Sequence, residues 1–210
     1  MLALDLETYS DEDLIKHGLA RYAMHPSTGV HCMAYRFDDN PIKFWWSHAP
    51  FPQEVIDYIN TGGPILAHNA DFERWIFDFV LSRLYDFDAP DPTQWRCSMV
   101  TALANGFAAG LDTACLQAGV PYRKNPAGTR LITEYCAPGH LKEFKPGDAE
   151  LMKEYCIGDV ECMCALILCC RELSQAEWDE YHLTCKINER GLPIDEAFYD
   201  AALGYANEIA

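Results

Sequence analysis

Positive charge is scarce in this chain. Lys and Arg number 16 against 32 Asp and Glu, for a formal net charge of −16. Affinity for phosphates normally comes from Lys and Arg. Composition alone therefore argues against a nucleic-acid binder, unless divalent cations neutralise the site and a neighbouring domain supplies the basic grip. Long apolar runs are missing too. None reaches the ~18 residues of a membrane span, and the longest, around residues 162–170, is short and rich in cysteine. The N-terminus MLALDLETYS has no basic segment ahead of its apolar one and carries carboxylates at once, so no signal peptide is expected. A cytoplasmic protein without membrane partners is expected. No internal repeat and no low-complexity tract interrupts the sequence. C-x-x-C pairs are also absent among the 10 cysteines, so the usual signature of a zinc site is lacking. Disulfides are not expected in a reducing compartment. Cys156, Cys162, Cys164, Cys169 and Cys170 fall in one helical stretch, where thiols act as small buried hydrophobes.

What is present is a chain of 210 residues, half of them hydrophobic and 12% aromatic, enough for one good core and a small appendage. Residues 2–7 read as a buried strand ending in carboxylates. Residues 30–37 and 42–46 read as two more, joined by the turn Asp38-Asp39-Asn40-Pro41. A helix is expected over 52–60, a short strand over 65–68, and an amphipathic helix over 72–80. In that helix Phe72, Trp75, Ile76, Phe79 and Val80 recur at the helical period. The stretch 95–132 reads as short helices. Long helices follow over 148–171 and 175–189, and a last one from about Asp195. Strands alternate with helices and then give way to them, an α/β pattern.

Three clusters carry candidate chemistry. Asp5 and Glu7 stand two apart at the end of an apolar strand, where i and i+2 share a face. Two like charges leaving a hydrophobic strand repel and lose hydration, and a divalent cation with a taste for oxygen, Mg²⁺ or Mn²⁺, relieves both. Alone, such a pair also fits a strand running into a solvated loop. The second cluster is Ala67-His68-Asn69-Ala70-Asp71-Phe72-Glu73. Asn69 is placed to cap a helix, and the helix dipole accounts for Asp71. Glu73 lies close to buried surface, and His68 reads as a core histidine. In the third cluster Tyr155 and Asp159 share a helix face at i and i+4.

Taken in order, Asp-x-Glu, Asn-x-x-Phe-Glu and Tyr-x-x-x-Asp resemble the DnaQ-like 3′→5′ exonuclease superfamily. The likeness is closest to the tyrosine-containing subclass found as proofreading domains of family A DNA polymerases, phage ones in particular. It runs over residues 1–173 and includes Arg21-Tyr22-Ala23 and His25-Pro26-Ser27-Thr28. The histidine subclass would need His at the position of Glu154. The resemblance implies an RNase H-like fold with a mixed, mainly five-stranded sheet flanked by helices. It implies Asp5, Glu7, Glu73 and Asp159 as metal ligands for two Mg²⁺ or Mn²⁺ ions, with Tyr155 completing the catalytic set. It implies substrate contacts at Thr8, Asn69 and Phe72, and the basic residues Arg123, Lys124 and Arg130 are candidates for a DNA backbone track. Glu73 departs from the Asp that the polymerase family usually has there. Tyr155, a phenol with a reference pKa near ~10, would orient the attacking water.

Residues 188–195, NERGLPID, resemble the passage from the exonuclease domain to the thumb of family A polymerases. The expectation is an exonuclease domain over 1–173 and a helical connector over 174–210, cut from a longer polymerase that works in a bacterial cytoplasm or a phage-infected host. Its partner would be the 3′ end of single-stranded DNA. A free-standing exoribonuclease and a degenerate exonuclease fold serving as an interaction module stay open as alternatives.

Overall fold

Alternation along the first strand sets the architecture. In β1 (Leu2–Tyr9), Leu2, Leu4 and Leu6 face one side of the sheet while Ala3, Asp5 and Glu7 face the other. The computed structural model describes residues 1–121, 126–139 and 143–209, so Arg123 and Lys124 lie outside the described residues. The other strands are β2 (Gly29–Phe37), β3 (Lys43–Trp46), β4 (Ile65–Ala67) and β5 (Trp95–Cys97), in the spatial order β3-β2-β1-β4-β5. β2 runs antiparallel to both β1 and β3, while β4 and β5 run parallel to β1. This is the mixed five-stranded α/β sheet of an RNase H-like fold.

Two helices, α1 (Leu14–His17) and α2 (Leu19–Met24), follow β1 where no helix is expected from the sequence. α3 (Gln53–Asn60) lies between β3 and β4. The expected amphipathic helix is longer and irregular: α4 (Asp71–Ile76) continues through a π turn (Phe77–Leu81) into α5 (Ser82–Tyr85). The stretch 95–132 is not all helical. It opens with β5, whose three residues are too few to show a strand period, and continues into α6 (Ser98–Ala104), α7 (Leu111–Gln117) and α8 (Gly128–Leu131). A second π turn (Ile132–Cys136) follows, then the long α9 (Asp148–Leu168).

Small residues decide how closely α9 approaches. Ala3, Cys32 and Ala34 present short side chains on the face that packs against Met152, Cys156, Val160 and Met163. The helix comes near enough for the Cys156 thiol to donate to the Asp5 carbonyl at 3.4 Å. Large side chains such as Leu2, Ile65, Phe77 and Trp95 fill the opposite side, with Phe77 and Trp95 edge to face at 5.5 Å. The cysteines are not uniform: Cys156 and Cys162 are buried as expected, whereas Cys169 is exposed.

The chain divides into two compact units, Met1–Ser174 and Gln175–Ala210. The second holds α10 (Gln175–Arg190) and α11 (Glu196–Ile209). Gly191, with φ of 64°, ends α10, and the Asp195 carboxylate accepts from the Phe198 amide at 3.0 Å to start α11. Among the described residues no helix is long and apolar enough to cross a membrane.

Candidate metal centre and substrate cleft

The carboxyl ends of β1 and β4 point toward one region, the place where open α/β sheets generally bind ligands. Asp5 and Glu7 reach it from β1. Between Glu7 and Thr8 the register with β2 slips, because Cys32 pairs with Glu7 but Val30 pairs with Thr8, leaving His31 as the extra residue of a bulge. Bulges add twist and re-aim side chains. Here the slip lets Glu7 and Thr8 line one cleft although they are sequence neighbours.

Glu73 enters from the first turn of α4 and Asp159 from the middle of α9. Both are buried, as is Glu7, while Asp5 is half-buried. The Glu73 Oε2 has no hydrogen-bond partner. Burial first, then the charge of Asp5 and then that of Asp159, hold the Glu73 carboxyl well above the usual carboxylate range. Asp5 and Asp159, carried by two other elements, thus stand near enough to Glu73 to act on its charge, although neither Glu73 nor Asp159 belongs to the close group of donors. Among the described residues, the Asp5 and Glu7 carboxylates and the Cys156 sulfur form a group whose donor atoms all lie within 4.8 Å of one another. A buried carboxylate oxygen without a partner, among further acids, suits oxygen-seeking divalent cations.

The second cluster differs from expectation in detail. Asn69 does not cap α4 with its side chain. Its φ is 65°, a left-handed conformation that Asn tolerates, and its carbonyl accepts from the Phe72 amide at 2.8 Å. Asp71 does more than answer the helix dipole. It accepts from Nε of Arg74 at 3.0 Å, and Arg74, itself buried, also donates to Asp78 at 3.2 Å. His68 is half-buried, with its ring between the Ser98 hydroxyl at 2.8 Å and the Ala109 carbonyl at 2.9 Å.

Beside Glu7 opens a cleft of about 400 Å³, lined largely by apolar side chains that include Leu14, Tyr22, Phe72, Ile132 and Pro138. Thr8 and Phe72, both expected at the substrate, lie on its wall. Sequence reading assigned no role to Tyr22, whose hydroxyl is 2.8 Å from Thr8 Oγ1 and whose ring is 6.0 Å from that of Phe72. Its place in the cleft was hidden because α2 is too short to show a period. Glu12, paired with His17, lines the same cleft. A larger cleft of about 600 Å³ lies where Ala3 pairs with Arg36, away from the acids. Its Arg36 is bound to Asp39, and the smaller cleft is the one beside the candidate chemistry.

Arg130 takes an internal role. Its guanidinium holds Asp148 by two hydrogen bonds, at 3.0 and 2.7 Å, and reaches Glu134 at 3.2 Å. Arg130, and after it the Tyr135 hydroxyl, hold the Asp148 carboxyl far below its usual range. The pairing ties α8 to the first turn of α9. That matters for Tyr155, because a Cβ built on Gly128 of α8 would fall 2.2 Å from Cε2 of the Tyr155 ring. Only glycine fits there without displacing the ring. If Tyr155 positions a reactant, as the sequence resemblance implies, Gly128→Ala should shift its ring and slow the reaction as Tyr155→Phe does, each by about 10²-fold, the low end for a positioning group. Rates of the single and double variants check this: in the double variant the second change should add little. A Gly128→Ala chain with unchanged rate would show that the ring's position does not matter.

Over 92% of its length the chain is 32% identical to a protein named DNA polymerase from Bacillus phage SP02. The chain is similar to a phage DNA polymerase. It spans about a third of that relative's length, 32%. No protein-family model matches.

Proposed function

We propose that residues 1–173 form a 3′→5′ exonuclease that removes nucleotides from DNA 3′ ends by two-metal phosphodiester hydrolysis, as the proofreading part of a DNA polymerase. The observation that carries this is the acidic group itself: Asp5, close beside Glu7, and buried Asp159 both act on the charge of buried Glu73, one of whose oxygens lacks any hydrogen-bond partner. Likeness to a phage DNA polymerase over a third of that protein supports a polymerase setting. On this reading residues 174–210 lead toward a polymerase thumb in a longer chain.

Asp5, Glu7, Glu73 and Asp159 would hold two Mg²⁺ or Mn²⁺ ions. When bound, such a pair acidifies a water and stabilises the leaving 3′-oxygen. The chain's own residues do the rest. Tyr155, fixed against Gly128 and one helical turn before Asp159, orients the water. Phe72 and Tyr22 offer aromatic faces to the terminal base in the apolar cleft, and Thr8 contributes a hydroxyl there. Asn69, exposed at the turn into α4, faces the terminal nucleotide. Arg130 serves the site through Asp148 and keeps enough exposure, 44% of its side chain, to reach a phosphate as well.

The test is a gel assay of a 5′-labelled single strand with Mg²⁺, with Mn²⁺ and with EDTA. A ladder shortened from the 3′ end and abolished by EDTA is expected; a ladder unaffected by EDTA, or none with either metal, would sink the proposal. RNA of the same sequence run in parallel separates a deoxyribonuclease from a ribonuclease.

Net charge gives a second expectation. With 16 basic residues against 32 acidic ones, the isolated chain should bind single-stranded DNA weakly and through divalent metal. Each phosphate neutralised contributes about −0.7 to the slope of log K against log salt, so the slope should reach only a few units. Fluorescence anisotropy across a salt series, with and without Ca²⁺, measures it. Tight, metal-independent binding with a steep slope would contradict the expectation.

A further inference from the structure

Cys156 reads in sequence as core packing, and its burial agrees. Its sulfur nevertheless lies at the edge of the acidic centre. It donates to the Asp5 carbonyl at 3.4 Å and falls within 4.8 Å of both the Asp5 and the Glu7 carboxylate oxygens. Magnesium takes oxygen donors in a near-ideal octahedron. A thiolate with two carboxylates is instead a donor set for zinc and other thiophilic ions.

We propose that Asp5, Glu7 and Cys156 form a mixed oxygen–sulfur site that takes a thiophilic divalent cation, Zn²⁺ or Cd²⁺, and that this ion excludes Mg²⁺ from the same carboxylates. The inference rests on the reading of Asp5 and Glu7 as metal ligands and adds the thiol to them. A second observation comes from across the centre, where the buried Glu73 Oε2 has no hydrogen-bond partner and stands near enough to Asp5 to feel its charge. That oxygen lies outside the close group of three donors, so it would have to move inward to serve as a fourth. A tetrahedral site with bonds of about 2.0–2.3 Å separates its donors by about 3.5 Å, so closure of the Asp5, Glu7 and Cys156 donors from at most 4.8 Å is within reach of side-chain rotation. As the metal–sulfur bond forms, the thiol proton leaves to solvent, one for each ion bound. The weak S–H bond to the Asp5 carbonyl is given up in the exchange.

The experiment titrates the metal-free chain with Cd²⁺ alone and follows the ultraviolet sulfur-to-cadmium charge-transfer band. One ion should bind with such a band, and excess Mg²⁺ should remove it. Cys156→Ala and Cys156→Ser should lose the band. Glu7→Gln should weaken Cd²⁺ by at least the about 10–100-fold that losing an outer-shell partner costs. A band kept at full strength in both Cys156 variants would assign it to other thiols, such as the exposed Cys169, and overturn the proposal. So would a band that Mg²⁺ leaves untouched, a measurement on the unsubstituted chain that decides the matter even if the Cys156 variants fail to fold. DNA shortening with Mg²⁺ is measured separately. Its absence alongside a Mg²⁺-sensitive band would sink the exonuclease reading and leave the mixed site standing.

Discussion

Asp5→Ala and Asp159→Ala are each expected to abolish metal-dependent shortening of a 5′-labelled DNA strand while leaving the chain folded. Both carboxylates raise the proton affinity of Glu73, so each one places negative charge where another acid is already buried. Without a cation that arrangement is repulsive, and removing one member relieves it. Thermal melting in EDTA should therefore stay level or rise in the variants, whereas a typical change at a buried position lowers it. With Mg²⁺ or Mn²⁺ present the order should reverse, because the unsubstituted chain gains stability from binding the ion and the variants gain less. The loss of rate should reach at least about 10²–10³-fold, the effect of deleting one preorganised electrostatic group. Gel assays and paired melts, with and without metal, provide both readouts. A variant that melts far lower in EDTA but still digests DNA would make these acids structural.

The pairs Asp5–Glu7 and Tyr155–Asp159 were more legible in the sequence than their surroundings, for a geometric reason. Asp5 and Glu7 share a face by strand period, and Tyr155 and Asp159 by helical period, so spacing alone places each pair. What spacing cannot provide is contact between elements far apart in the chain. Gly128 against the ring of Tyr155 and the Cys156 sulfur beside the β1 carboxylates are of that kind. Arg130 illustrates the same gap. A basic residue in an acidic chain suggests phosphate, but folding brings Asp148 to it. In the fold, β1 and β2 announced themselves as apolar stretches bounded by turn residues, whereas β5, α1 and α2 are too short to carry a period. Asn69 was expected as a side-chain cap because its residue type favours one; its left-handed backbone shows that the same type was serving a turn.

The acid of the second cluster yields the sharpest test, because two carboxylates two positions apart have opposite environments. Glu73 is buried among acids; Asp71 is half-buried and bound to Arg74. Glu73→Gln should cost about 10²–10³-fold in rate, while Asp71→Asn should leave the rate close to normal. Stability should change in the opposite sense. Asp71→Asn weakens a hydrogen bond to a buried guanidinium, worth about 1.5–3 kcal/mol, more than the helix dipole alone would suggest. Glu73→Gln removes a carboxyl whose proton affinity is raised by burial and by Asp5 and Asp159. In the metal-free chain the folded state holds that proton at pH values where the unfolded state has released it. Stability contributed by Glu73 is therefore complete below the ordinary carboxylate range and is lost as pH rises toward the raised folded value. In EDTA, the unsubstituted chain should lose melting temperature relative to Glu73→Gln as pH climbs from the carboxylate range toward neutrality. Adding Mg²⁺ or Mn²⁺ should flatten that difference, since a cation favours the ionised form. Parallel melting curves for the two chains at all pH values in EDTA would show that Glu73 ionises freely, and that its carboxylate does not belong to a buried acidic centre.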